Sequence, residues 1–270
     1  YQDVLDSLRA MKEIQLHNGE AGCHRYILSN CSGAYHIAIL HAMVKASGWE
    51  GPMTLDLVPL FESIQDLDGA KAEMAKLYTH PVYAGHLDKR AGDQTVMLGF
   101  SDGTKDGGYF RANWAMYRAK QSLTEISREH GRTVMFFDGR GGPPARGGGN
   151  THRFYASLGR DIENREIQTT IQGQTISSNF GIPKSAGFNL ELLFTAGVKN
   201  RLFDEEETQI SAADAALLDE LGASSHAHYL ALRNRPEFTE YLATFGTLKY
   251  YGATNIGTNF RRLFEGEAPR

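Results

Sequence analysis

The sequence predicts an α/β fold, because short apolar segments alternate with longer segments that have helical periodicity. Four near-continuous apolar runs are typical of parallel strands that are covered on both faces. They lie at residues 24–30, 55–61, 95–100 and 133–137. The chain has 270 residues, 41% of them hydrophobic, which is enough for a sizeable core in one large domain or two smaller ones.

Amphipathic segments separate and follow these runs. The apolar spacing of residues 34–47, 66–78 and 109–131 predicts helices between the strands. After the fourth run, residues 151–159 read as a short helix, and residues 165–181 contain one further short strand. The order therefore predicts four or five strand–helix units.

The last third of the chain reads as mostly helical. Helical patterns cover residues 185–203, 211–234 and 236–245. We therefore expect a strand–helix segment over residues 1–183, followed by a helical extension of the same domain over residues 184–270.

Composition and charge exclude several classes of function. The net charge of −4 and the isoelectric point near 6.2 argue against a nucleic-acid or anionic-membrane surface. The sequence contains no run of eighteen apolar residues, so we expect no transmembrane span. Cys23 and Cys31 are expected to be free thiols in a reducing cytoplasm. The first residues read as the middle of a helix, so we expect the chain to be a piece of a longer protein.

A glycine-rich loop follows the fourth predicted strand. The strand ends at Asp138, and the loop that follows carries Arg140 and Arg146 among glycines and prolines. Glycine lets the backbone approach a ligand closely, and arginine presents a planar fork of donors that suits phosphate or carboxylate. These features favour a loop that closes over a small anion.

Other interpretations of this loop fit less well. A dinucleotide fingerprint counted from Gly139 would need glycine at position 144, where Pro144 stands. The loop also lacks the Gly-Lys-Ser/Thr ending of a P-loop. A flexible linker stays as an alternative, although linkers seldom follow a strand so directly.

Carboxylates follow three successive strands. Glu62 comes after the second, Asp102 after the third and Asp138 after the fourth. The carboxyl edge of a parallel sheet is where ligands bind, so these acids predict Mg²⁺ or Mn²⁺ that bridges to an anionic substrate. Lys105, in an apparent glycine-rich turn, adds a positive charge, and His152 is a further candidate. Capping of the next helix is the alternative role of each acid.

Four segments carry a specific family resemblance. Residues 59–62 read PLFE, residues 99–108 read GFSDGTKDGG, residues 137–148 read FDGRGGPPARGG and residues 170–174 read TIQGQ. In order and approximate spacing they resemble the PLFE, GYSDSAKDAG, FHGRGGSIGRGG and TEQGE motifs of phosphoenolpyruvate carboxylase. The resemblance implies a (β/α)₈ barrel of the TIM type with additional helices, of which this chain would supply part.

The resemblance also implies a role for each matched position. Glu62 and Asp102 would be the ligands of the Mg²⁺ or Mn²⁺ that holds the enolate of phosphoenolpyruvate. Bicarbonate would attack the phosphoryl group, and carboxylation of the enolate would give oxaloacetate and phosphate. The implied substrate-binding residues are Lys105, Arg140, Arg146, Gly141, Gly142 and Gln172, of which Lys105, Arg140 and Arg146 would be catalytic. Family members are usually tetramers, so a homo-oligomer is implied.

Several positions depart from the family pattern. Asp138 stands where many members have histidine, and we expect it to orient Arg140. Gln174 replaces a glutamate, Asn259 replaces a substrate-binding arginine, and the TAHPTE motif with its catalytic histidine has no counterpart. We therefore expect weak carboxylation by the isolated chain. Two alternatives stay open: a non-catalytic phosphate-binding or regulatory module of the same fold, and another metal-dependent lyase that stabilises an enolate.

Overall fold

The computed structural model describes residues 1–143, 146–171, 173–202 and 210–247. Within these residues, one five-stranded sheet has all neighbouring strands parallel and in chain order. The strands are β1 (Arg25–Leu28), β2 (Asp56–Phe61), β3 (Asp93–Leu98), β4 (Thr133–Asp138) and β5 (Ile167–Thr169). The predicted α/β class is confirmed, and the sheet is compatible with part of a barrel, whose closure stays a prediction.

Helices connect the strands and form the rest of the described chain. They are α1 (Gln2–Asn18), α2 (Ala34–Ala46), α3 (Ile64–Thr79), α4 (Pro81–Asp88), α5 (Phe100–Gly107), α6 (Tyr109–Glu129), α7 (Thr151–Ala156), α8 (Gln174–Phe180), α9 (Pro183–Leu202), α10 (Ala212–Arg233) and α11 (Pro236–Phe245). The helices predicted between the strands are all present, and the last third is helical where it is described. No helix in the described part combines the length and apolarity that crossing a membrane requires.

The third strand ends earlier than the sequence predicts. It stops at Leu98, and residues 100–107, read as a glycine-rich turn, form α5. Helix α5 packs closely on its neighbours because its glycines lack side chains. A Cβ atom at Gly107 would lie 2.5 Å from Ile64 Cδ1, and one at Gly103 would lie 3.1 Å from Met116 Cε. Tertiary packing thus overrides the low helix propensity of glycine here.

The core lies between the sheet and the helices on it. Strand residues such as Leu57, Val96 and Val134 are buried in this core, as are Leu67 on α3 and Leu123 on α6. Cys23 and Cys31 are free thiols, as predicted. The packing leaves the carboxyl ends of the strands as the edge where the candidate residues gather.

Candidate active site

Glu62 lies at the carboxyl edge of the sheet, directly after the last residue of β2. The backbone N–H of Asn30, just beyond β1, donates to Glu62 Oε2 at 3.3 Å. A Cβ atom at Gly99 would lie only 2.9 Å from Glu62 Cγ, so glycine at this position leaves space for the glutamate. Two neighbouring strand ends therefore hold the Glu62 side chain.

Asp102 lies in the first turn of α5, which begins two residues after β3 ends. Burial raises the pKa of Glu62, and the negative charge of Asp102 raises it further. Lys105 Nζ lies 2.7 Å from Asp102 Oδ1, in an ion pair that is 46% and 41% exposed. The structure thus brings together Glu62, Asp102 and Lys105, as the sequence predicts.

This pair of carboxylates fits a Mg²⁺ or Mn²⁺ ion. Such ions commonly take one or two carboxylates and complete their coordination with water and substrate oxygens. The repulsion that raises the pKa of Glu62 would be relieved by a cation between the two acids. The described residues contain no cluster of three or more histidine, cysteine or acidic side chains suited to a metal.

Residues far along the chain hold the end of α5. Asp106 Oδ2 accepts a hydrogen bond from the backbone N–H of Ile64 at 2.9 Å, which links α5 to the start of α3. Tyr229 Oη donates to the carbonyl oxygen of Lys105 at 2.7 Å, and Arg233 Nη1 donates to the same oxygen at 3.1 Å. The sequence analysis missed Tyr229 and Arg233, because no local pattern connects α10 with α5.

The described residues of the glycine-rich loop, 139–143 and 146–149, hydrogen bond to one another rather than extending as a linker. The N–H of Gly141 donates to the carbonyl oxygen of Arg146 at 2.6 Å, and the N–H groups of Arg146 and Gly148 both donate to the Pro143 carbonyl at 2.9 Å. Gly147 has a φ of +78°, and a Cβ atom there would lie 2.5 Å from Phe100 Cδ1. Its tight contacts explain why glycine is needed at this position.

Arg140 is only 5% exposed, so it is more enclosed than a surface anion-binding arginine. Its Nε donates to the carbonyl oxygen of Gly147. Its guanidinium carbon lies 4.1 Å from the centroid of the Phe154 ring, in a cation–π contact. The backbone and an aromatic ring thus fix this arginine within the loop.

The expected direct contact between the Asp138 carboxylate and the Arg140 side chain is not among the described hydrogen bonds. Asp138 Oδ2 instead accepts hydrogen bonds from Lys120 Nζ and from Tyr155 Oη, each at 2.8 Å. Asp138 is buried, and an unpaired carboxylate there would be costly, so it takes these donors. The backbone carbonyl oxygen of Asp138 accepts the N–H of Arg140 at 2.8 Å.

Lys120 is a site-adjacent residue that the sequence analysis missed. It lies on α6, 2% exposed, one turn after Met116 and one turn before Leu123, both of which are buried. A lysine within an apolar helical stripe was the available signal. Burial lowers the pKa of Lys120, and the charge of Asp138 opposes this shift.

The structure describes only some of the remaining candidate residues. Gly141 and Gly142 belong to the folded loop, and a Cβ atom at Gly142 would lie 3.2 Å from Thr175 Oγ1. His152 is half-buried in the first turn of α7, and its role stays a prediction. Gln172 and Asn259 lie outside the described residues, as does the side chain of Gln174.

Comparison with known proteins gives a consistent result. A sequence model of the phosphoenolpyruvate carboxylase family matches residues 1–262. The chain is 32% identical to a phosphoenolpyruvate carboxylase of Nitrosomonas eutropha, over 95% of this chain and 28% of that protein. It is 35% identical to the Mycobacterium leprae enzyme of that name, over 88% of this chain and 26% of that protein. The chain thus spans about a quarter of the length of these relatives.

Proposed function

This chain belongs to the phosphoenolpyruvate carboxylase family, and from that premise we propose that its carboxyl-edge site takes part in the carboxylation of phosphoenolpyruvate by bicarbonate. The observation that carries the proposal is the placement of Glu62, Asp102 and a loop at the ends of the adjacent strands β2, β3 and β4. This loop is the glycine-rich loop that contains Arg140 and Arg146, called the arginine loop from here on. The family resemblance extends the proposal to a homo-oligomer in the cytoplasm.

Glu62 and Asp102 are the residues that would hold Mg²⁺ or Mn²⁺. When bound, the cation supplies positive charge that stabilises the enolate oxygen of the substrate. Lys105 pairs with Asp102 and adds a further positive charge beside the two acids. The proximity of Lys105 thus suits the binding of a phosphorylated, carboxylated substrate.

Arg140 and Arg146 would bind the groups that change charge during the reaction. A bicarbonate oxygen forms a bond to phosphorus as the bond from phosphorus to the enolate oxygen breaks, which yields carboxyphosphate and the enolate. The enolate carbon then bonds to the carboxyl carbon, and phosphate leaves. The two arginines would stabilise the charge on the transferred phosphoryl oxygens, and the loop would limit the access of water to carboxyphosphate.

Titration of Mn²⁺ and phosphoenolpyruvate into the 270-residue chain tests the proposal. We expect phosphoenolpyruvate binding that depends on Mn²⁺, and a loss of Mn²⁺ affinity of about tenfold or more in Asp102→Ala. Asp6→Asn, at an exposed position on α1, is the control and should bind as the wild type does. Binding that ignores both Mn²⁺ and Asp102→Ala would contradict the proposal and favour a phosphate-binding module.

Binding of substrate by the 270-residue chain does not by itself imply fast turnover. Asn259 stands where the family has a substrate-binding arginine, so one interaction with the transition state is missing from this sequence. We therefore propose that the 270-residue chain binds substrate and turns it over weakly.

A further inference from the structure

A buried polar cluster lies beneath the arginine loop, and the proposed reaction does not use it. The cluster consists of Lys120, Asp138 and Tyr155, which come from α6, β4 and α7. They are 2%, 0% and 4% exposed. Transferring an ion pair from water to a protein interior is expensive, and hydrophobic residues of similar volume often stabilise a protein equally well. A buried ion pair at a strand end beside the site therefore suggests that these residues have a role other than stability.

The cluster contacts Arg140 through helix α7. Tyr155 Oη donates to Asp138 Oδ2 at 2.8 Å, which joins α7 to the end of β4. The preceding residue, Phe154, provides the ring against which the Arg140 guanidinium packs at 4.1 Å. The Phe154 and Tyr155 rings pack edge to face with centroids 5.0 Å apart. Fixing Tyr155 therefore also fixes the surface under Arg140.

Lys120 and the backbone of Asp138 reach the same arginine from another direction. Lys120 Nζ lies 5.5 Å from the centroid of the Phe154 ring, so both cations contact one ring. The carbonyl oxygen of Asp138 accepts the N–H of Arg140 at 2.8 Å and the N–H of Thr170 at 3.0 Å. Thr170 Oγ1 in turn donates to the carbonyl oxygen of Arg140. Displacing Asp138 would thus move Arg140 at both its backbone and its side chain.

We propose that Lys120, Asp138 and Tyr155 form a positioning cluster that holds the Arg140 guanidinium in its anion-binding orientation. The proposal rests on the proposed function, because it takes the ligand of Arg140 to be a phosphate or carboxylate group. The three residues act through the rings of Phe154 and Tyr155, whose centroids lie 4.1 and 5.7 Å from the Arg140 guanidinium carbon, and through the β4–loop junction.

The test compares two buried tyrosines that undergo the same change. Tyr155→Phe removes the hydroxyl group that hydrogen bonds to Asp138 and Thr169, and it keeps the ring. Tyr83→Phe, the control, removes a core hydroxyl group that donates to Gln94 at 2.7 Å and to the Leu57 carbonyl at 3.4 Å. Two quantities are measured: the dissociation constant for phosphoenolpyruvate in the presence of Mn²⁺, and the NMR signal of the Arg140 Nε–H group, assigned by its loss in Arg140→Lys.

We expect Tyr155→Phe to weaken phosphoenolpyruvate binding by about three- to tenfold and to shift or broaden the Arg140 Nε–H signal. Tyr83→Phe should leave both unchanged, even where it lowers thermal stability to the same extent. A Tyr155→Phe protein with lowered stability, but with wild-type affinity and a wild-type Nε–H signal, would overturn the proposal.

A second variant keeps the test decisive. Phe154→Leu leaves the three cluster residues in place and removes the ring under Arg140, so it should alter the same NMR signal. An unchanged signal in this variant would also overturn the proposal. Failure of the proposed function is distinguishable from failure of the positioning proposal. If the proposed function fails, Arg140→Lys binds phosphoenolpyruvate as the wild type does. The Nε–H signals of Tyr155→Phe and Phe154→Leu still report whether the cluster positions Arg140.

Discussion

Tyr229 donates a hydrogen bond of 2.7 Å to the carbonyl oxygen of Lys105, joining two residues that are 124 positions apart. The bond satisfies a carbonyl in the last turn of α5, where a helix has no internal donor left. Because α5 also carries Asp102, the contact makes α10 part of the support of the candidate cation site.

Removing this hydrogen bond should weaken the site without abolishing it. We expect Tyr229→Phe to lower the free energy of unfolding by about 1 kcal/mol and to reduce Mn²⁺ affinity a few-fold. Calorimetric titration with Mn²⁺ measures the second effect. Tyr241→Phe, at a 60% exposed position on α11, is the control. Equal Mn²⁺ affinity in Tyr229→Phe and the control would show that α10 does not support the site.

The raised pKa of Glu62 predicts a stability effect of unusual sign. Above pH 4.5 the unfolded chain loses this proton while folded Glu62 still holds it, because burial and Asp102 raise its pKa in the folded state. The free energy of unfolding therefore falls as the pH rises through the interval from 4.5 to the raised pKa.

Glu62→Gln should remove the loss of stability that comes from ionising Glu62 in the folded state. We expect the variant to be more stable than the wild type at pH 7 in the presence of a chelator, and yet to bind Mn²⁺ poorly. Chemical denaturation at several pH values measures the stability, with the exposed Glu13→Gln as control. A less stable metal-free Glu62→Gln protein at pH 7 would contradict the electrostatic argument.

His86 predicts a loss of stability in mild acid. Burial and the charge of His41 lower the pKa of His86 from 6.5 to about 4. Between these values the unfolded chain binds a proton that folded His86 does not, so stability falls as the pH falls from 6.5 to 4, by up to about 3 kcal/mol. His86→Phe should reduce the dependence of the unfolding free energy on pH in this interval, as measured by denaturation at several pH values. The exposed His17→Gln should leave that dependence unchanged. An unchanged slope in His86→Phe would refute the assignment.

The Lys120–Asp138 ion pair predicts strong non-additivity. Lys120→Met leaves the buried Asp138 carboxylate without its cation and should cost about 3–5 kcal/mol of unfolding free energy. The double variant Lys120→Met with Asp138→Asn removes both charges, so it should lose much less than the sum of the single variants. Additive losses in denaturant titrations would mean that the two side chains act independently.

Glycine substitutions should have opposite effects at two positions. Gly147→Ala combines a positive φ with a clash against Phe100, so it should destabilise the protein and disturb the arginine loop. Gly69 lies within α3, and no atom outside its own helix would come within 4 Å of an added methyl group. Gly69→Ala should therefore stabilise the protein by about 0.5–1 kcal/mol. Thermal unfolding measures both effects, and a stabilised Gly147→Ala would contradict the described loop geometry.

Local pattern was sufficient to predict the strands and the first carboxylate of the site. The apolar run before Glu62 identifies the end of a strand. In a parallel sheet, the carboxyl ends of all strands lie at the same edge, which is where ligands bind. Helix α5 was not predictable in this way, because its stability depends on close packing that only Gly103 and Gly107 permit. The partners of Asp138 were hidden for a similar reason. Lys120 precedes it by 18 residues and Tyr155 follows it by 17, and only the fold brings the three together.

The chain-order arrangement of the sheet has a consequence for biosynthesis. Each strand pairs with the one that precedes it in the chain, so a polypeptide emerging from the ribosome can dock its units one after another. Glu62 and Asp102 would meet once β3 and α5 have joined β2, before the loop that carries Arg140 and Arg146 can pack at the sheet edge. A nascent chain would thus bring the two carboxylates together first and the arginines later.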